Sequence, residues 1–136
     1  MHDTRYPFDP FRPVLLLVER SDHLLKILRD WVGYAFPNCQ VHSAASVAEA
    51  CAIAAFEQPA AMFVDVDAPD GDGFRSLRTL RARFPRARLV AVSMFNARAH
   101  HDAALGAGAT DCVAIGADGL RDLPCNRPAH ASHGAP

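Results

Sequence analysis

Met62-Phe63-Val64-Asp65-Val66-Asp67-Ala68-Pro69-Asp70-Gly71-Asp72-Gly73 is the stretch on which the reading of this chain turns. A short apolar run delivers an aspartate. A loop with Pro69 and Gly71 follows, and a new helix begins near Asp72. In an open α/β sheet, ligands bind outside the carboxyl ends of the strands. A carboxylate placed there is positioned to act as a nucleophile or a metal ligand. Asp65 is therefore the first candidate residue, and its surroundings decide what it can do.

Working outward, residues 14–18 form a continuous apolar run, which suits a strand buried on both faces. Ser21 can cap a helix reaching about Phe36, with Leu24, Ile27, Leu28, Trp31 and Ala35 at helical spacing and Pro37 ending it. Residues 39–44 read as a weaker strand. Ser46-Val47-Ala48-Glu49 is a capping box that opens a second helix, with Val47, Ala50, Cys51 and Ala54 as its apolar face. Residues 61–64 are the third strand and lead into Asp65. Asp72 can cap the third helix, with Phe74, Leu77 and Leu80 inward and Arg75, Arg78 and Arg81 outward. Residues 89–93 are the fourth strand. A fourth helix starts at Asn96, and Gly106 and Gly108 stop it. Residues 112–115 are a short fifth strand, and after Gly116 there is room only for a brief helix around residues 120–123.

Five alternations of strand and helix imply a parallel sheet with helices on both faces. With the first strand central, the order is 2-1-3-4-5, the flavodoxin-like α/β arrangement with a truncated last helix. Strands one and three then adjoin, and Glu19 meets Asp65 at the switch point. The expected organisation is an N-terminal arm over 1–13, one domain over 14–123 and a disordered tail over 124–136.

The 136 residues suit a single core. Half are hydrophobic and the net charge is -1, so the basic excess of a nucleic-acid binder is missing. No apolar run approaches the ~20 residues that span a bilayer. The start, Met1-His2-Asp3-Thr4-Arg5, lacks a signal-peptide pattern, and a cytoplasmic location is expected. Cys39, Cys51, Cys112 and Cys125 show no CxxC spacing and read as small hydrophobes in a reducing compartment.

Taken in order, the Asp65 to Gly73 run, Ser93 at the end of strand four, and Ala104-Leu105-Gly106-Ala107-Gly108-Ala109-Thr110-Asp111 before strand five resemble one family. It is the receiver domain of bacterial two-component response regulators, and the resemblance covers about residues 14–123. It implies a phosphorelay signalling module rather than an enzyme, with Asp65 as phosphoacceptor served by a histidine kinase. It also implies a Mg²⁺ held by two adjacent acids after strand one together with the acceptor. A Lys at the end of strand five and a switch Ser/Thr, here Ser93, complete the family's set. Such chemistry runs on positioning and charge neutralisation.

The chain departs from that pattern at several points. The acid pair is Glu19-Arg20, the Lys position is Ile115, the residue after it is Gly116 rather than Pro, and the aromatic position of strand five is Cys112. The single lysine, Lys26, falls in the first helix. Glu19, Asp65 and Asp67 still converge, but close carboxylates without a counterion repel and take up protons. Mg²⁺ binding is thereby in question. Arg20 is open to two readings: a bidentate partner of Asp65 that holds the site in one state, or a side chain pointing to solvent. Asp67 is a modulator of the acceptor or a solvated loop acid. Ser93 is a retained switch or a small strand-end residue. His100 and His101 are expected on a solvated helix face. Cys125, His130 and His133 are only loosely spaced like metal ligands.

These residues leave two signalling functions open. One is an atypical, single-domain pseudo-receiver that works by protein contact with weak or no phosphorylation. The other is a working phosphoacceptor. A haloacid dehalogenase-type phosphatase also carries strand-Asp-x-Asp, but after its first strand, whereas two βα units precede Asp65 here. An EF-hand reading fails because Pro69 and Ser76 occupy the fifth and twelfth loop positions. No DNA-binding or membrane segment is expected. The shortened last helix puts the family's usual dimer face in doubt, so output is expected through another signalling protein.

Overall fold

The computed structural model describes residues 12–67, 73–94 and 98–115. Strand and helix alternate as β1 (Val14–Val18), α1 (Asp22–Ala35), β2 (Gln40–Ala44), α2 (Val47–Glu57), β3 (Ala61–Asp65), α3 (Gly73–Arg83), β4 (Leu89–Ser93), α4 (Arg98–Gly106) and β5 (Asp111–Ala114). All strand pairings are parallel and the order is β2-β1-β3-β4-β5, the expected flavodoxin-like sheet. The N-terminal arm, the Asp72 and Asn96 helix starts, Gly116, the brief last helix and the tail lie outside the described residues.

The alternation of side chains along each strand divides the core in two. Leu15 and Leu17 of β1, Phe63 of β3, Val90 and Val92 of β4 and Val113 of β5 pack with Leu28, Trp31 and Val32 of α1. Leu16, Val18, Met62, Val64 and Ala91 face the other way, onto α2, α3 and α4. Burial on both faces is why β1 and β4 read as unbroken apolar runs.

The helix starts follow the sequence signals. Ser21 accepts from the Leu24 amide, and Ser46 accepts from the Glu49 amide while Glu49 accepts in return from the Ala45 amide. Two expectations about helix faces need correction. In α1 the buried stripe is Leu28, Trp31 and Val32, whereas Ile27 is 43 % exposed at the carboxyl end of the sheet. In α3, Arg81 does not point outward. Its guanidinium donates to the carbonyls of Gly108, Phe84, Pro85 and Ala87 and to the Thr110 hydroxyl. The loops after α3 and α4 leave carbonyls without strand or helix partners, and one five-donor side chain satisfies both loops. Gly108 sits there at φ 114, a conformation other residues rarely adopt.

Gly73 opens α3 directly against β3's exit. A Cβ on Gly73 would lie inside contact distance of the Val66 backbone, at Cα, C and O. Backbone cannot rotate aside as a side chain can. Gly73→Ala is therefore expected to cost about 2 kcal/mol or more, read as a lowered urea midpoint against a surface Ala substitution on the same helix.

Candidate functional site

The carboxyl ends of β1, β3, β4 and β5 converge on one cavity of about 220 Å³. Strand parity sets its floor: Glu19 continues the Leu15, Leu17 row, Asp65 and Asp67 continue from Phe63, and Ile115 continues from Val113. All four line the cavity, with Leu24, Ile27 and Leu28 of α1 and Val92, Ser93 and Met94 of β4 and its exit. Backbone hydrogen bonds carry the strand ends into the site. Val66 N–H donates to Val92 O at 3.0 Å, and Ile115 N–H donates to Ser93 O at 2.7 Å.

Glu19 is 6 % exposed and its carboxyl faces that of Asp65 across a hydrogen bond. Its Oε2 also accepts from the Ser21 amide at 3.0 Å. Burial, then the Asp65 carboxyl, push Glu19 up from 4.5 to about 7, and the backbone amides only partly oppose this. Asp65 is half-buried, and its Oδ1 accepts from the Asp67 amide at 2.8 Å. Arg20 was one expected partner for Asp65. It is exposed, and the ion pairs between described residues are Arg88–Asp111 and His100–Asp67. Strand parity turns residue 20 away from the row that Glu19 continues.

Asp67 is no solvated loop acid. Its Oδ1 accepts from Ser93 Oγ at 3.2 Å and lies 3.2 Å from His100 Nε2, while its Oδ2 accepts from the Met94 amide. The His100 ring also packs edge-on against Phe74, with centroids 5.3 Å apart. His101 is exposed as expected, but His100 is not on a solvated face. One carboxylate thus joins the exit of β3, the Ser93 hydroxyl on β4 and the first turns of α4. No sequence signal marked this cluster, because the relative placement of α3 and α4 brings His100 to Asp67. Ser93 is 1 % exposed, so its hydroxyl needs such a partner. Cys112 is half-buried on β5, and burial together with the Asp67 carboxylate pushes its thiol up, away from reactivity.

A Mg²⁺ ion is commonly bound through one or two carboxylates with water completing its octahedron. Glu19 and Asp65 fit that minimum, since both carboxyls line one cavity. Asp67 is committed to Ser93, Met94 and His100. Among the described residues, no group of three His, Cys, Asp or Glu is placed to hold a metal.

A parallel five-stranded sheet in this order, with carboxylates at the exits of β1 and β3 and a hydroxyl at the exit of β4, defines a receiver-type signalling module. Residues 15–115 match the response regulator receiver domain, and the chain belongs to that family. It is 36 % identical over 107 residues to the photosynthetic apparatus regulatory protein RegA of Cereibacter sphaeroides, covering 76 % of this chain and 55 % of RegA. RegA of Rhodovulum sulfidophilum is likewise 36 % identical over 107 residues, covering 78 % of this chain and 57 % of that protein. The chain therefore spans about half the length of the curated relatives it matches. Vibrio cholerae chemotaxis protein CheY4 shares the fold at a TM-score of 0.66 and 19 % identity, over 82 % of this chain and 99 % of that one. The haloacid dehalogenase alternative falls with this membership. No helix among the described residues is long and apolar enough to cross a membrane.

The Glu19 shift has a defined sign. Between about pH 4.5 and 7 the folded chain keeps a proton that the unfolded chain has released, so this stabilisation is complete below 4.5 and is lost as pH rises through 7. Denaturation midpoints across that window are expected to fall by up to about 3 kcal/mol from this group, and Glu19→Gln is expected to flatten the profile. The Asp67 cluster has a separate test. His100→Phe keeps the ring on Phe74 but removes the Nε2 contact, so the Met94 amide and α4 should exchange hydrogen roughly tenfold faster, about 1.4 kcal/mol of local opening, while α1 and β2 are unaffected.

Proposed function

We propose that this chain is an atypical receiver that works in two-component signalling by protein contact, with weak or no phosphorylation at Asp65. The observation that carries this reading is the Glu19–Asp65 carboxyl pair, which faces Ile115 across the cavity where the family's resemblance calls for a lysine. Phosphoryl transfer onto an aspartate adds negative charge, and the family relies on cations to stabilise it. Here the wall of the cavity is aliphatic and one acid of the metal pair is Arg20. Receiver domains typically bind Mg²⁺. In this chain Glu19 and Asp65 would hold it, and it would supply charge neutralisation at Asp65. The fitting partners are a histidine kinase or another signalling protein that reads the α4 side of the sheet. Direct DNA contact and dimerisation are no part of this reading.

A second reading, a working phosphoacceptor, is favoured by one specific arrangement. Asp65 stands at the exit of β3, and Ser93 is hydrogen-bonded through Asp67 on the neighbouring strand. That is a switch hydroxyl held ready beside an acceptor. Intact-mass measurement after incubation with acetyl phosphate, with and without Mg²⁺ and beside Asp65→Asn, separates the two. The expected result is no adduct, or a few per cent at most. A stoichiometric, Mg²⁺-dependent phosphoryl adduct that Asp65→Asn abolishes would overturn the first reading and establish the second.

A further inference from the structure

We propose that the hollow at the amino-terminal end of the sheet, between the α2–β3 and α3–β4 turns, docks an acidic segment of a partner protein whose carboxylates flank a large apolar side chain. The hollow lies at the opposite end of the strands from Asp65. The proposal goes beyond the function given above and holds whichever way Asp65 behaves.

Two properties stand side by side here. Residues 75–88 hold six arginines and no aspartate or glutamate, in a chain whose net charge is -1. Arg81 is committed to backbone carbonyls and Arg88 to Asp111. Arg75 and Arg78 have contacts of their own. Arg83 and Arg86 are exposed, and both line a cavity of about 380 Å³. Most of the remaining lining is apolar, from Ala54 of α2, Pro59 after it, Met62 of β3, and Phe84 and Ala87 of the turn after α3. Gln58 adds an exposed side-chain amide. No acid is among the described residues that line the cavity. Glu57, next to Gln58, is outside the lining and has its Oε1 buried.

The turn that presents the arginines is held by its own contacts. The Ala87 amide donates to Phe84 O at 3.1 Å, and the Arg81 guanidinium donates to the Phe84, Pro85 and Ala87 carbonyls. Arg83 lies over the Phe84 ring, its guanidinium carbon 6.0 Å from the centroid. A surface ordered in advance loses less entropy when a partner binds. Each guanidinium presents a planar fork that a carboxylate meets with two parallel hydrogen bonds. An exposed ion pair alone contributes little, so the apolar lining has to supply the rest by taking up a side chain. Other occupants match one property and miss the other. An inorganic anion leaves the apolar lining uncovered, and a neutral apolar segment leaves the arginines without charge partners. A nucleic-acid backbone draws its affinity from a longer row of cations than these two. A bilayer receives apolar groups that project, whereas these are recessed.

Fluorescence anisotropy and amide NMR of the full chain test this with a fluorescein-labelled Asp-Glu-Leu-Phe-Glu-Asp peptide. Asp-Glu-Ser-Ser-Glu-Asp and Lys-Lys-Leu-Phe-Lys-Lys serve as counterparts that lack the apolar centre and the acidic flanks. Saturable binding of the first peptide is expected, with amide shifts confined to residues 54–62 and 83–87. Either counterpart is expected to bind roughly tenfold more weakly or worse. The double variant Arg83→Gln, Arg86→Gln changes two exposed positions and is expected to weaken the first peptide roughly tenfold. Ala55→Phe, at an exposed lining position of α2, is expected to block it by filling the hollow. It carries the test if the double variant does not fold. No saturable binding, equal binding of the three peptides, shifts centred elsewhere, or binding unchanged in the folded variants overturns the proposal. Tighter binding of phosphatidylglycerol vesicles or of oligothymidylate than of the acidic peptide also overturns it.

Discussion

The position of β3 is the constraint on which the rest depends. It is hydrogen-bonded to β1 on one edge and β4 on the other, and Ala61, Met62, Phe63 and Val64 are all buried. A strand held on four sides cannot slip by a residue without sending apolar side chains to the wrong face and breaking both ladders. Asp65 therefore leaves the sheet at one fixed height, beside Val92 and facing Glu19. The loop beyond it inherits that placement. Val66 is still hydrogen-bonded to β4, and Asp67 arrives within reach of Ser93 and His100.

The same register that builds the core brings like charges together. Burial of Glu19 beside the Asp65 carboxyl opposes its ionisation and pushes it up to about 7. In this family that conflict is ordinarily resolved with cations. Here Ile115 lines the same cavity as the two carboxyls, and the conflict shows as a pH-dependent cost at Glu19.

Asp67 resolves its own charge differently, and its contacts bear on how a signal could leave the site. It draws donors from β4 and from α4, while His100 leans on Phe74 of α3. The Ser93 hydroxyl and His100 of α4 meet on a single carboxylate two residues from Asp65, and Phe74 of α3 packs on the His100 ring.

The sequence alone determined the element order, the parallel topology and the residues at the strand exits. Apolar runs of strand length, helical spacing in α2 and α3, and the Ser21 and Ser46 caps are local signals, and local chemistry obeys them. Glu19, Asp65, Ser93 and Ile115 could be placed because strand ends in this topology share one edge. Only the tertiary structure decided where Arg81 and His100 went. Arg81 has a long, flexible side chain whose partners are set by loops and neighbouring elements far apart in the chain. Arg81 reaches Gly108 and Thr110, and His100 reaches Asp67, through contacts spanning 27 to 33 residues. Periodicity reports which face of an element is apolar. It carries no information on which polar group another element will bring to meet it.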